Sequence, residues 1–341
     1  MRLVLEVKGC CDPTSLPGAE VGGDAVWADR RITLILSRWG TVPMVREDEL
    51  LPELFWAADE ASMQGQRKTV RLLRQQLVML TLASVFSSFD AKLFGIDWPS
   101  WLAAAMFAFA ALATFLLNRG NPQAIWYEGR AVAESLKTLV WKYAIRADPF
   151  TPPGGEKNPE ALYRLQLADV LHTFRNSAAL PLPVHADITP AMRRLRESPL
   201  RVRHDVYMRE RVRIQHDWYT AKEAACEARG RRFGRVATLL PVCGIAAPVI
   251  QMGGWFPVNT LSFIAAIAAS VSAWAQLRQY RPLAAAYRVA ADELELIRVH
   301  LAALDLTAPD AEETWSHLTR DAEDAVSREH TTWQARRELR V

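Results

Sequence analysis

Two apolar stretches recur in this chain at a constant offset of 158 residues, and that repeat limits what the chain can fold into. The first runs from Trp98-Pro99 through Leu102 to Leu117, apolar apart from Thr114. The second starts at Phe256-Pro257 and is almost as apolar from Leu261 to Leu277. Arg74 falls on Arg232, Trp98 on Phe256, Pro99 on Pro257 and Arg130 on Arg288. Ala133-Glu134-Ser135-Leu136 falls on Ala291-Asp292-Glu293-Leu294, and no gap is needed in between. A period this long exceeds that of solenoid repeats, so the unit is a duplicated helical hairpin.

Average composition hides this organisation. The mean hydropathy of −0.03, the 23% charged residues and the net charge of +3 are those of a soluble protein. Yet from Val236 to Leu277 no side chain ionises except Cys243, enough for two spans and a turn. A transmembrane helix needs about 20 apolar residues, and Trp98–Leu117 supplies them. Leu77–Phe89 is short before Asp90 and needs residues at one of its ends in the headgroup layer. A charge at a span centre costs roughly 2.5–3.5 kcal/mol, and none of the four candidates carries one. The competing reading, buried helices of a large soluble core, does not account for uncharged pairs occurring twice with basic outer ends.

Those ends set an expected topology. Arg67, Lys68, Arg71 and Arg74 precede the first hairpin, with Arg119 and Arg130 after it. Arg229, Arg231, Arg232 and Arg235 precede the second, with Arg278, Arg281 and Arg288 after it. The positive-inside rule then places all outer ends and both termini in the cytoplasm, a multi-pass protein of the inner membrane. Trp98, Trp101 and Trp255 at the turns, and Trp126 and Trp274 at the other ends, suit interfacial belts. The segment MRLVLEVKGCCDPTS has too short an apolar run for a signal peptide.

Catalytic constellations are missing. No HExxH, GxSxG, GxGxxG or phosphate loop occurs, and Thr151-Pro152-Pro153-Gly154-Gly155 lacks the Lys-Ser/Thr a phosphate loop needs. Cys10-Cys11, Cys226 and Cys243 form no zinc set. The basic residues are interspersed with Asp and Glu, so no nucleic-acid patch stands out. We therefore expect no enzyme activity, cofactor, metal or nucleic acid.

The polar segments have helical spacing. Tyr207, Arg211, Ile214, Trp218, Ala221 and Ala225 form a coiled-coil-like stripe with one charged intruder. Leu294, Ile297, Leu301 and Leu304 make a second seam, and Trp315, Leu318, Ala322, Val326 and Trp333 mark a further amphipathic helix. Together they predict a cytoplasmic bundle joined to the hairpins by nearly continuous helices. The fold expected is an all-α membrane protein of two tandem two-helix transmembrane hairpins. Residues 1–45 are an appendage with β-prone runs at Leu3–Val7 and Ile32–Ser37. The first unit covers 46–178 with its hairpin at about 75–117, and ends in a helix at about 160–176. A linker follows at 179–191, then the second unit at 192–341 with its hairpin at about 236–277.

These residues resemble the SLATT family, two-transmembrane effector domains found beside nucleotide-sensing modules in bacterial conflict systems. Tyr207 through Ala224 is similar to the family's pre-hairpin helix, with Tyr207, Arg211-Val212, Gln215, Trp218-Tyr219 and Lys222 in its marked positions. Glu323 through Trp333 is similar to its C-terminal helix. The stretch from Leu51-Pro52 through Trp141-Lys142-Tyr143 to Pro149-Phe150 resembles the subtype fused ahead of it. The resemblance implies a pore-forming or membrane-disrupting effector triggered by an infection signal. Its partners would be the lipid bilayer, further copies of the chain, and a separate nucleotide sensor or cyclase.

Two functional readings compete on the residues. In the first, oligomerised hairpins open a pathway for ions or water. Ala104, Ala108 and Ala111, with Ala266, Ala269 and Ala273, then permit close helix approach. Ser84, Ser87 and Ser88 are the candidates to face a lumen, against the alternative that they bond their own helix's carbonyls. The cytoplasmic seam of Tyr207, Ile214, Trp218, Leu294, Ile297, Leu301 and Leu304 would carry the signal. In the second, the chain is a membrane-anchored scaffold that binds a cytoplasmic partner. A transporter would place ionisable or broken-helix sites at mid-membrane. Only Pro241 and Pro248 hint at a break.

Overall fold

The computed structural model describes residues 45–89, 92–93, 96–150, 158–174, 187–252 and 260–338. Residues 1–44 of the appendage, the Pro/Gly spacer at Thr151–Gly155, most of the linker, and the side chain of Trp333 lie outside the described residues.

The first unit opens with a short helix α1 (Glu47–Leu50) and then α2 (Glu53–Phe86). At 34 residues, α2 spans about 51 Å, well beyond the roughly 30 Å of a bilayer's hydrocarbon core. A two-residue antiparallel ladder, β1 (Lys92–Leu93) on β2 (Ile96–Asp97), turns the chain back. Helix α3 (Trp98–Gly120) starts where the Asp97 carboxylate accepts from the Ser100 N–H, with a proline in the first turn. It stops at Asn121, whose φ of 34° is left-handed, and Pro122 then starts α4 (Pro122–Ile145). Thus α3 and α4 lie end to end along α2 with an elbow between them.

The second unit repeats the plan. Helix α8 (Ile214–Met252) rises and α9 (Thr260–Arg278) returns. Gln279 at φ 46° makes the elbow, and α10 (Tyr280–Ala302) continues along α8. The two left-handed elbows are 158 residues apart, so the sequence repeat holds there to the residue. Helix α8 continues through Pro241 and Pro248, so neither proline ends it.

The first elbow depends on small residues. A Cβ on Gly65 would lie 2.7 Å from the Pro122 carbonyl oxygen and the Trp126 nitrogen, and one on Gly129 would lie 2.9 Å from the Ala58 oxygen. The Ser62 hydroxyl donates to the Trp126 carbonyl at 2.9 Å in the same contact. In the second unit Tyr280 stacks on Phe233 at 5.3 Å.

Between the units lie α5 (Pro159–Thr173), α6 (Pro190–Glu197) and α7 (Leu200–Tyr207). Asn158 caps α5 and Thr189 caps α6, and a proline begins each of these two helices. A π turn, Met208–Arg213, joins α7 to α8. The chain ends in α11 (Ala311–Glu338), which crosses over to pack on α4 of the first unit as well as on α10. The main core surrounds the last two turns of α4, where Trp141, Tyr143, Ala144 and Ile145 are buried among α1, α5, α6, α7 and α11.

The apolar ends of the hairpins are arranged differently. Helix α2 packs on α3, α9 on α8, and the two hairpins meet through α2 and α9. The order is α3–α2–α9–α8, a row whose outer faces carry large apolar side chains. Trp101 is 72% exposed and Ile245 74%, with Phe107, Phe109, Leu112, Phe115, Leu239 and Val242 also exposed. Among the described residues α3 is the helix both long and apolar enough to cross a membrane, and little of it is buried within the chain.

Candidate functional site

Three regions hold the residues singled out from the sequence. The first is the junction between the hairpins. The Thr81 and Ser270 hydroxyls lie 2.8 Å apart, and Thr81 also donates to the Leu77 carbonyl at 2.8 Å. One turn on, the Ser84 hydroxyl reaches the Ser262 carbonyl at 3.3 Å. Ser87 and Ser88 instead donate to the Ser84 carbonyl of their own helix, at 3.0 and 2.8 Å. So Ser84 belongs to a hydroxyl seam joining the two repeats, while its two neighbours are satisfied locally. The Thr81–Ser270 contact lacks a sequence signal, because it depends on the register between distant helices.

The second region is the alanine faces. Ala103, Ala110 and Ala113 are buried in the hairpin. Ala104, Ala108 and Ala111 are exposed on another side of α3, as are Ala269 and Ala273 on α9, and Ala266 is half-buried. The chain leaves these small-residue faces uncovered.

The third region is where α7, the π turn, α4 and α11 meet. Arg211, the charged intruder in the apolar stripe, is 2% exposed and Glu323 of α11 is fully buried. The Arg211 Nε and Nη2 groups donate to the two Glu323 carboxylate oxygens at 2.9 and 2.8 Å, a bidentate pair. The Tyr207 hydroxyl donates to the same carboxylate at 3.0 Å. Burial alone would lower the Arg211 pKa, but the Glu323 carboxylate, with Glu47 behind it, holds it above the usual guanidinium range. Burial and the Glu323 charge push the Tyr207 phenol well above its ordinary value. The third guanidinium nitrogen, Nη1, has no hydrogen-bond partner and faces Glu47 at 3.9 Å. Glu47 in turn accepts from Trp141 Nε1 and from Lys137 Nζ, each at 2.9 Å. Edge-on aromatic contacts run from Trp141 to Tyr207 at 5.6 Å and from Tyr207 to Trp315 at 5.8 Å. The end of α4 is clamped from below. Arg196 donates to the Tyr143 carbonyl, and Arg203 and Trp315 both donate to the Ile145 carbonyl, each at 2.8 Å. Burial, with the Arg146 and Arg203 charges nearby, lowers the Arg196 pKa to about 10.

The seam is displaced from its expected register. Tyr207 and Arg211 are buried as the stripe requires, but beyond them the buried positions are Val212, Tyr219 and Cys226. Ile214 and Trp218 are half-buried, and Ala221 is exposed. A π turn inserts an extra residue, which rotates the downstream face by one position. Leu294 and Leu301 are buried, and Ile297 and Leu304 pack partly buried against the same core. Between α10 and α11 an open, largely apolar groove of about 350 Å³ is lined by Leu296, Ile297, Leu301, Leu318 and Ala322, with Glu293 and Asp321 also in its wall. Glu323, Glu47 and Trp141 carry no sequence mark of this site. The available signal was Arg211 itself, since a cation inside an apolar stripe calls for a buried acid.

Comparison with known families agrees with this architecture. Residues 52–204 match SLATT_3, the SMODS and SLOG-associating 2TM effector domain 3, and residues 207–333 match SLATT_1, the SMODS and SLOG-associating 2TM effector domain 1. No curated protein and no solved structure matches the chain. The boundary between the two matches falls at the start of the π turn, and each match contains one helical hairpin with its elbow. The chain is a tandem SLATT protein, two effector domains of this family in succession.

Proposed function

We propose that this protein is a membrane effector of a nucleotide-signalled bacterial conflict system, and that its copies assemble to breach the inner membrane. Both hairpins cross the bilayer, with the elbows, the bundle and both termini in the cytoplasm. The observation that carries this reading is the open row α3–α2–α9–α8. It presents large apolar side chains and the alanine faces outward, which only lipid or neighbouring copies can cover. The four uncharged helix segments in this row enclose no polar pathway, so a pathway requires several copies, and closed rings are the usual assembly of identical chains. The chain acts without catalysing a reaction. A separate sensor or cyclase supplies the signal, received in the cytoplasmic bundle and passed along α2 and α8.

The test is membrane potential in cells carrying the triggered system, together with dye leak from vesicles holding the protein. Ala108→Trp and Ala269→Trp are expected to abolish leak while the protein remains in the membrane fraction. Protection by the system with membrane potential fully preserved overturns the reading. The groove between α10 and α11 supports the second reading, a membrane-anchored scaffold whose cytoplasmic face holds a partner, and that outcome would favour it.

A further inference from the structure

The contact between the two hairpins pairs unlike helices. Helix α2, the first of one hairpin, packs against α9, the second of the other. The helices left at the ends of the row are α8 and α3, the repeat counterparts of α2 and α9. A heterologous contact uses a different surface on each side, so repeating it extends an assembly until the rotation closes a ring. The chain contains one such contact and exposes both halves of another.

The offset of 158 residues fixes which side chains those halves hold. Thr81 of α2 corresponds to Leu239 of α8, and Ser270 of α9 corresponds to Leu112 of α3. The 2.8 Å hydroxyl contact thus translates into a leucine on each side. The Ser84 hydroxyl and the Ser262 carbonyl translate in the same way into Val242 and Ala104. On α9, Ser262, Ala266 and Ser270 recur every fourth residue along one face, as Ala104, Ala108 and Leu112 do on α3. Thr81, Ser84, Ala266 and Ser270 are half-buried by the contact inside the chain. Their counterparts are open. Leu239 is 61% exposed, Val242 56% and Leu112 50%, and Ala104 and Ala108 are exposed as well. The open copy therefore sets an aliphatic ridge on α8 against an alanine groove on α3, a pairing that lets helices approach closely in lipid.

We propose that α8 of one copy docks on α3 of a second copy of this chain, in the register of the α2–α9 contact. Leu239 then meets Leu112, and Val242 meets Ala104. The inference rests on the reading that the hairpins span the bilayer and that copies assemble, and it names the surface they assemble through. The row α3–α2–α9–α8 continues into the α3 of its neighbour, so first-domain and second-domain hairpins alternate around the assembly. A second copy fits this face better than lipid alone, because the face repeats the register of a contact the chain already makes. Acyl chains require no register.

The test is cysteine crosslinking of the full chain in membranes from cells carrying the triggered system, with Cys10, Cys11 and Cys243 replaced by Ser and Cys226 by Ala. A disulfide forms only where the two Cβ atoms come within about 4.5 Å. Co-expressed L112C and L239C chains with different tags are expected to give a mixed dimer on oxidation, and neither chain alone is expected to dimerise. The L112C/L239C chain is expected to give a ladder of multimers, whereas F107C/L239C, with its first cysteine off that face of α3, is expected to stay monomeric. T81C/S270C, the contact inside the chain, is expected to close within one molecule. Adding Ala108→Trp to the ladder-forming chain is expected to reduce the multimers about tenfold by overpacking the groove. If the chain without native cysteines misfolds, a benzophenone side chain placed at position 239 of the otherwise native protein substitutes for it. Its adduct of dimer mass is expected to map to residues 98–120 of the second copy. A dimer from L112C alone or L239C alone, or an adduct that maps to α8, reveals a like-with-like contact and overturns the proposal. So does a L112C/L239C or benzophenone chain that stays monomeric in triggered cells. Mixed dimers in triggered cells that keep full membrane potential support this contact and overturn the breach reading instead, so the two failures are distinguishable.

Discussion

Removing either member of the Arg211–Glu323 pair leaves an ion buried without its partner, and the structure makes the two removals unequal. Glu323→Gln keeps the shape but takes away the carboxylate that accepts three hydrogen bonds. The stranded guanidinium still has Glu47 at 3.9 Å, an attraction of about 4 kcal/mol before desolvation at an effective dielectric constant of 20. Arg211→Met strands a fully buried carboxylate with only the Tyr207 hydroxyl against it. Breaking a buried pair costs about 3–5 kcal/mol. Glu323→Gln is therefore expected near the lower end and Arg211→Met near the upper. Replacing both with Met and Leu is expected to be far less damaging than either, because no charge is then left to desolvate. A thermal melt of the detergent-solubilised protein, followed by tryptophan fluorescence, reads this directly, since Trp141 and Trp315 flank Tyr207. If Arg211→Met costs less than about 1 kcal/mol, or the double replacement costs the sum of the singles, the two buried charges do not compensate each other.

The elbows are expected to be intolerant of bulk. Gly65→Ala and Gly129→Ala push a methyl into neighbouring backbone and should each destabilise by about 1–3 kcal/mol or more in the same melt. The hydroxyl seam is expected to contribute modestly. Thr81→Val with Ser270→Ala should show a coupling of about 0.6 kcal/mol in a double-mutant cycle, and a value several times larger would mean the hairpins depend on it. For topology, a cysteine at Ser100 should react with an impermeant thiol reagent in intact cells and one at Ser198 only after permeabilisation. The reverse pattern refutes the orientation.

Much of this architecture is legible in sequence because it depends on local terms. The 158-residue offset carries over to the elbows at Asn121-Pro122 and Gln279-Tyr280, yet the spacing alone predicts nearly continuous helices there, because apolar periodicity runs on through a one-residue bend. Proline and capping residues at Asn158-Pro159 and Thr189-Pro190 mark helix starts that any chain would read alike. The π turn was invisible because nothing in Met208–Arg213 differs from ordinary helix. With the extra residue, Tyr207 and Arg211 reach Glu323 while Tyr219 and Cys226 still face the core. The crossing of α11 onto α4 escaped for a similar reason, since it joins residues as far apart as Lys142 and Asp324. Local periodicity describes a face, not the surface that will cover it.

The left-handed elbows also divide the molecule by stiffness. Of the helices reaching the apolar layer, α2 and α8 are unbroken rods of 34 and 39 residues, while α3 and α9 are hinged to α4 and α10 through one residue each. A rod conveys thrust and torsion along its length, whereas a joint at Asn121 or Gln279 relieves both. Movement imposed on the cytoplasmic ends is thus delivered to the bilayer by α2 and α8 alone, and those two are not adjacent in the row. Their partners α3 and α9 meet α4 and α10 at one left-handed residue each, so each domain sets a continuous shaft beside a jointed follower.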